Sequence, residues 1–244
     1  MRKHSFPENK SIALLIDPDK SDGDSLKTVL DVATECRADY IFAGGSLTFN
    51  SIDNLIDSLK SMCNIPVVLF PGNLLQLSRK ADIILLLSLL SGRNPELLIG
   101  NHVIAAPYLR DLREKLISVG YILVGTGKKT SVEYISHTDA IPADKPDIAV
   151  ATALAGEMLG FSMIYLEAGS GAAEPVPPEI ISQVRKNVLI PVAVGGGLKT
   201  PGNISDAFRS GADLAILGNS CETNPEFLRE ACRIRDKFRM EIPI

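Results

Sequence analysis

The sequence has no tryptophan, little histidine or cysteine, and no long apolar run. The four cysteines, Cys36, Cys63, Cys221 and Cys232, are scattered and form no Cys-x-x-Cys pair. That spacing argues against a disulfide scaffold or a cysteine zinc site, and reads as reduced thiols in a cytoplasmic protein. The three histidines, His4, His102 and His137, stand too far apart to suggest a histidine metal cluster. Basic residues are not in excess: 25 Lys and Arg face 29 Asp and Glu, and the formal net charge is -4. A nucleic-acid partner, which favours a basic face, is therefore not expected. The longest apolar stretch, Ile83 to Leu90 with Ser88 inside it, is too short to span a bilayer. The run Ile12–Ile16 ends at Asp17 and is too short for a signal-peptide core. A soluble protein without a transmembrane segment follows as an expectation, although its substrate need not be soluble.

What is present is the composition of an ordinary globular enzyme, with 45% apolar and 22% charged residues over 244 positions. No linker or low-complexity tract divides the chain, so residues 1–244 are read as one domain. Short apolar runs alternate with amphipathic segments throughout. Strands are expected near Ile12–Ile16, Tyr40–Ala43, Val67–Phe70, Ile83–Leu87, Tyr121–Val124, Met163–Leu166, Val192–Val194 and Leu214–Leu217. Helices are expected over Ser25–Cys36, Asp53–Met62, Ile148–Leu159, Pro178–Asn187, Asn203–Ser210 and Pro225–Phe238. Eight strands alternating with helices predict a closed (βα)8 TIM barrel. The connection Pro71–Lys80 has room for only a turn or two of helix. Ile-Pro-Val opens two strands, at Ile65 and Ile190, and Ala-Asp opens three, at Ala38, Ala81 and Ala212. A duplicated half-barrel or recurrent helix-to-strand chemistry would each leave such echoes.

In this fold the active site lies at the C-terminal ends of the strands. The polar and glycine-rich stretches fall there: Asp17-Pro18-Asp19-Lys20, Gly44-Gly45-Ser46, Glu167-Ala168-Gly169-Ser170-Gly171, Gly195-Gly196-Gly197 and Gly218-Asn219-Ser220. The stretches after strands seven and eight read as a phosphate-binding site, because glycine lets backbone N–H groups approach an anion closely. Gly195–Gly197 as a mere tight turn is the alternative. Asp17 at the end of strand one suits Mg²⁺, which takes few protein ligands and is completed by water and phosphate; Ser46 adds a hydroxyl oxygen. An Asx-turn or helix cap before Pro18 explains Asp17 equally well. Asp19 has the character of a helix cap, and Lys20 of a solvated or paired cation. Glu167 among small residues has the placement of a general base. A salt bridge to a neighbouring loop is its structural alternative. Tyr165 shares its strand face and is either a phosphate contact or a core aromatic.

Six stretches together resemble the geranylgeranylglyceryl phosphate synthase family, which includes bacterial heptaprenylglyceryl phosphate synthases. They are Leu14–Lys20, Gly44–Ser46, Ser91-Gly92-Arg93-Asn94-Pro95, Tyr165–Gly171, Val194–Gly197 and Gly218-Asn219. The resemblance implies a (βα)8 barrel that joins a long prenyl diphosphate, expected to be geranylgeranyl diphosphate, to sn-glycerol 1-phosphate. An ether-linked lipid precursor and pyrophosphate result. It implies Asp17 and Ser46 as Mg²⁺ ligands and Glu167 as the base. Tyr165, Leu166, Glu167, Ala168, Gly169, Ser170, Gly171, Gly195, Gly196, Gly197, Gly218 and Asn219 hold glycerol phosphate, and Ser91–Pro95 shapes the prenyl-diphosphate side. One bacterial branch carries a lysine two residues before the metal aspartate. Here the position is Leu15, nearer the branch with archaeal and Bacteroidetes members. A homo-oligomer, dimer or hexamer, is the matching expectation. The rival readings are another phosphate-site barrel enzyme (an aldolase, epimerase or sugar-phosphate isomerase) and a non-catalytic barrel. The first calls for a Schiff-base lysine or a second acid–base pair, and neither is evident.

Overall fold

A computed structural model describes residues 6–7, 9–20, 23–125, 127 and 129–240, without the side chains at 219 and 222. Eight parallel strands form the barrel: β1 Ser11–Ile16, β2 Tyr40–Ala43, β3 Val67–Leu69, β4 Ile83–Leu89, β5 Leu116–Gly125, β6 Met163–Glu167, β7 Val192–Gly195 and β8 Leu214–Leu217. Each pairs with the next in sequence, and β8 pairs with β1, so no edge is left open. A two-residue strand, Ile141–Pro142, pairs outside the ring with the end of β5.

Period-two alternation along the strands separates two cores. Ala13, Phe42, Val68, Leu85, Val119, Tyr121, Met163, Tyr165, Ala193 and Ile216 fill the interior. Their sequence neighbours Ile12, Ile41, Val67, Ile84, Ile122, Ile164, Val192 and Ala215 face outward under the helices. The strands read as continuously apolar because both faces are buried.

The helices are α1 Gly23–Glu35, α2 Ile52–Met62, α3 Asn101–Leu109, α4 Ser131–Ser136, α5 Pro146–Met158, α6 Pro178–Asn187, α7 Pro201–Arg209, α8 Asn219–Thr223 and α9 Pro225–Met240. In α1, Leu26, Val29, Leu30 and Ala33 are buried at the spacing of one helical face. Between β3 and β4 only a single 3-10 turn, Leu74–Gln76, replaces the usual helix. A π-turn over Glu96–Gly100 leads into α3.

Three expectations need correction. β5 begins five residues before Tyr121, because Ser118 and Gly120 interrupt its apolar run. Glu167 is the last residue of β6, not the first of the loop beyond it. The short helix α4 carries a capping box between Thr130 and Glu133, a signal the hydrophobic pattern did not reveal.

The three Ala-Asp pairs share one structural task. Asp39, Asp82 and Asp213 each accept a backbone N–H at or near the start of the preceding strand, from Ile12, Val67 and Val192, all at 2.9 Å. The carboxylate thereby satisfies a donor that the strand ladder leaves over. Asp39 is further clamped from α9, by Arg235 at 2.7 Å and Arg239 at 2.6 Å. The buried Arg235 guanidinium also donates to the carbonyls of Arg37 and Cys36.

Candidate active site

An open cavity of about 430 Å³ occupies the C-terminal mouth of the barrel. Among its polar and small lining residues are Asp17, Lys20, Gly45, Ser46, Glu167, Ser170 and Gly218, brought together from the end of β6 and the loops after β1, β2, β6 and β8. The rest of the lining is mainly apolar, through Leu74 and Leu77 beside the 3-10 turn, Leu86 and Leu87 of β4, and Ala105 of α3, with Asn101 and His102 among them.

Glu167 is buried, yet its carboxyl reaches this cavity. The Tyr121 hydroxyl donates to its Oε2, and Tyr165 also hydrogen-bonds it. Burial raises the Glu167 pKa from 4.5 to about 7, against the two tyrosine hydrogen bonds that lower it. The two tyrosine rings stack with centroids 5.2 Å apart, and Phe70 meets both edge-on. Among the described residues no salt bridge to Glu167 is found, and a buried tyrosine cradle stands in place of the alternative raised by the sequence. Tyr121 was not foreseen as a site residue. Its signal was register: it lies opposite Tyr165, two residues from the partner of Glu167.

Gly195 has its place because of Tyr165. A Cβ at Gly195 would lie 2.2 Å from the Tyr165 hydroxyl. Gly196, at φ +74°, packs against the backbone of the preceding loop, where a Cβ would meet Gly169 N at 2.7 Å. Ala168 donates its N–H to the Gly195 carbonyl at 3.1 Å. The loops after β6 and β7 are therefore one tightly packed unit. Tyr165, Leu166, Ala168, Gly169, Gly171 and Gly195–Gly197 do not line the cavity itself. Leu166 faces the outer helices, so only its backbone is placed for ligand contact. Asn219 begins α8, directly after Gly218; its side chain lies outside the described residues.

Asp17 makes the Asx-turn read from the sequence and also pairs with Lys20. Its Oδ1 accepts the Asp19 N–H at 3.0 Å in an Asx-turn, while Oδ2 lies 3.3 Å from Lys20 Nζ. Asp19 accepts the N–H groups of Phe49 and Asn50 and ties the first βα loop to the second; residues 21 and 22, where a cap on α1 would act, lie outside the described residues. Gln76 braces the loop Gly44–Ser46 by accepting from Gly45 and Gly72 and donating to the Gly45 carbonyl at 2.8 Å.

Among the described residues no group of three or more His, Cys, Asp or Glu can enclose a metal. Asp17 brings a carboxylate to the mouth and Ser46 a hydroxyl, while the Glu167 carboxyl is taken up by its two tyrosines. A Cβ at Gly45 would sit 3.3 Å from the Asp17 carboxylate, so that glycine keeps the flank of the carboxylate clear. Such a sparse oxygen set fits Mg²⁺ completed by water and phosphate oxygens.

The Ser91–Pro95 stretch does not line the cavity. Ser91 accepts the Leu123 N–H, and Asn94 donates to the Ser136 carbonyl. It thereby fixes the approach to α3 and the position of α4. The side chains that do face the cavity here are Leu97, Asn101, His102 and Ala105.

Residues 4–234 match the PcrB family. The geranylgeranylglyceryl phosphate synthase of Chitinophaga pinensis is 46% identical over 91% of this chain and 88% of that protein. The enzyme of the same name from Spirosoma linguale is 42% identical, over 99% of this chain and 98% of that one. The crystal structure of (S)-3-O-geranylgeranylglyceryl phosphate synthase from Thermoplasma acidophilum, in complex with sn-glycerol-1-phosphate, shares this fold with a TM-score of 0.86. It is 30% identical and covers 96% of this chain and 95% of that one.

Proposed function

The chain belongs to the PcrB family, and from that membership we infer that it is a prenyltransferase. It joins a long prenyl diphosphate, geranylgeranyl diphosphate by the names of its relatives, to sn-glycerol 1-phosphate. The observation that carries this reading is Glu167. A buried carboxyl poised near pH 7 faces a cavity lined by polar and small residues and by leucines.

Glycerol 1-phosphate seats its phosphate towards the packed loops after β6 and β7 and the turn Gly218 with α8. A short extra helix at this place is the usual phosphate site of such barrels. The glycerol hydroxyl then lies towards Glu167, whose carboxylate takes its proton as the oxygen attacks the allylic carbon. The bond from that carbon to the diphosphate breaks, and pyrophosphate leaves. Mg²⁺, when bound by Asp17 and Ser46, supplies neutralising charge to the departing pyrophosphate. Tyr121 and Tyr165 hold the Glu167 carboxylate in place. The apolar tail extends along Leu74, Leu77, Leu86 and Ala105, where each buried CH₂ contributes about 0.8 kcal/mol.

Lys20 lies at the cavity and is paired with Asp17. That favours this reading over a Schiff-base aldolase. Exposed Ile99, Val103 and Ile104 on the outer side of the α3 segment support self-association. No helix of the described residues is long and apolar enough to cross a membrane. The test is incubation with labelled geranylgeranyl diphosphate, sn-glycerol 1-phosphate and Mg²⁺. An organic-extractable phosphorylated product is expected; its absence from folded protein overturns the reading.

A further inference from the structure

Far from the mouth, two cysteines meet. The Sγ atoms of Cys36 and Cys232 lie 3.2 Å apart, although 196 residues separate them in sequence. Cys36 follows the last turn of α1 and precedes β2, so it sits at the N-terminal end of the barrel, away from Glu167. Cys232 lies in the middle of α9 and is buried, whereas Cys36 is only half-buried. Arg235, one turn beyond Cys232, reaches the Cys36 carbonyl at 3.3 Å and places its guanidinium beside the pair. Cys63 makes a different contact, donating to the Leu59 carbonyl of its own helix.

We propose that Cys36 and Cys232 form a peroxide-sensitive dithiol site that closes reversibly to a disulfide and ties α9 to α1. The geometry supplies what such a site needs: a half-buried thiol, a resolving thiol in contact with it, and a fixed cation nearby. The hydrogen bond between the two thiols holds Cys36 below its usual range against the opposing effect of burial, and Arg235 adds to the lowering. The Cys232 thiol is held up by its bond to Cys36 and by burial. The order of events follows from burial, since Cys36 is half-buried and Cys232 fully buried. The Cys36 thiolate attacks one oxygen of hydrogen peroxide, the O–O bond breaks, and the sulfenic acid and hydroxide form. Cys232 then gives up its proton and attacks the Cys36 sulfur, expelling the hydroxyl as water. Two thiols are oxidised by two electrons, and one peroxide is reduced to two waters. A cytosolic thiol such as glutathione reverses the step by exchange.

The test is treatment of the purified full-length chain with stoichiometric hydrogen peroxide. Loss of two thiols per chain is expected, and a non-reducing digest should link the peptides that carry Cys36 and Cys232. The melting temperature should rise by roughly 5–15 °C, because the bridge closes a very long loop, and dithiothreitol should reverse the rise. In Cys232→Ser, a sulfenic acid at Cys36 should accumulate and be trapped by dimedone, whereas wild type should show little adduct. Equal dimedone labelling in both proteins, linkage through other cysteines, unreacted thiols, or an unchanged melting temperature on oxidation would each overturn the proposal. None of these readouts depends on the prenyltransferase reading.

Discussion

The Tyr121 hydroxyl on β5 donates to Oε2 of Glu167 on β6, so the candidate base is held by a neutral donor from the neighbouring strand. A neutral partner orients a carboxylate without cancelling its charge, and it leaves the pKa under the control of burial. The Glu167 value near 7 reflects that balance.

Glu167→Gln keeps the shape and removes the base. Turnover should fall by roughly 10²–10⁴, with glycerol phosphate still bound in calorimetry. In wild type, kcat should rise with pH through about 7 as Glu167 ionises, and the Gln variant should lack that limb. Stability should run the other way. The folded pKa lies above the unfolded value, so the native state holds an extra proton between them. This contribution, on the order of 3 kcal/mol, is complete below pH 4.5 and is lost as pH rises through about 7. Denaturant titrations of the two proteins across this range measure it; parallel pH curves would mean that Glu167 titrates normally.

Tyr121→Phe preserves the ring stack and removes the hydrogen bond. Because that bond lowers the Glu167 pKa, the acidic limb should move to higher pH. Activity near neutrality should drop several-fold and recover at alkaline pH. A pH–rate profile with an unmoved limb would show that Tyr121 acts on packing alone.

Asp17→Asn should raise the magnesium concentration needed for half-maximal activity, with only partial rescue by excess metal. Glycerol phosphate affinity should stay near wild type. An unchanged magnesium titration would place the ion elsewhere.

Gly196→Val should have the opposite profile. Its side chain would enter the contact with the Gly169 backbone, at a φ of +74° that β-branched residues avoid. The loops after β6 and β7 must then separate, and KM for glycerol phosphate should rise steeply. Prenyl diphosphate binding to the folded variant should change little. Equal loss of both ligands would contradict a division of the mouth between the two.

The barrel was legible because parallel strands buried on both faces leave unbroken apolar runs, and because Gly and Asp mark their ends. Tyr40–Ala43 and Leu214–Leu217 coincide with β2 and β8. β5 was cut short where Ser118 and Gly120 break the run, since period alone does not register a small residue that packs well. Asp17, Ser46 and Glu167 do meet at one cavity. Tyr121 and Gln76 were invisible because their roles depend on register and on a loop contact 31 residues away. The glycines after β7 were noticed for an anion, whereas the packing also requires them for Tyr165 and for the neighbouring loop. The Ala-Asp echo left duplication and recurrent helix-to-strand chemistry open; the shared bond to an N–H at or near a strand's start fits the second.

The ring of helices is open between β3 and β4, where only Leu74–Gln76 stands. The barrel axis is meanwhile plugged by Phe42, Tyr121 and Tyr165. The cover over the flank between β3 and β4 is therefore thinner than where a full helix packs on the strands. That flank carries the leucines that continue the cavity away from Glu167. With the axis plugged by aromatic rings, the apolar continuation of the mouth beside Glu167 lies on that flank rather than down the barrel.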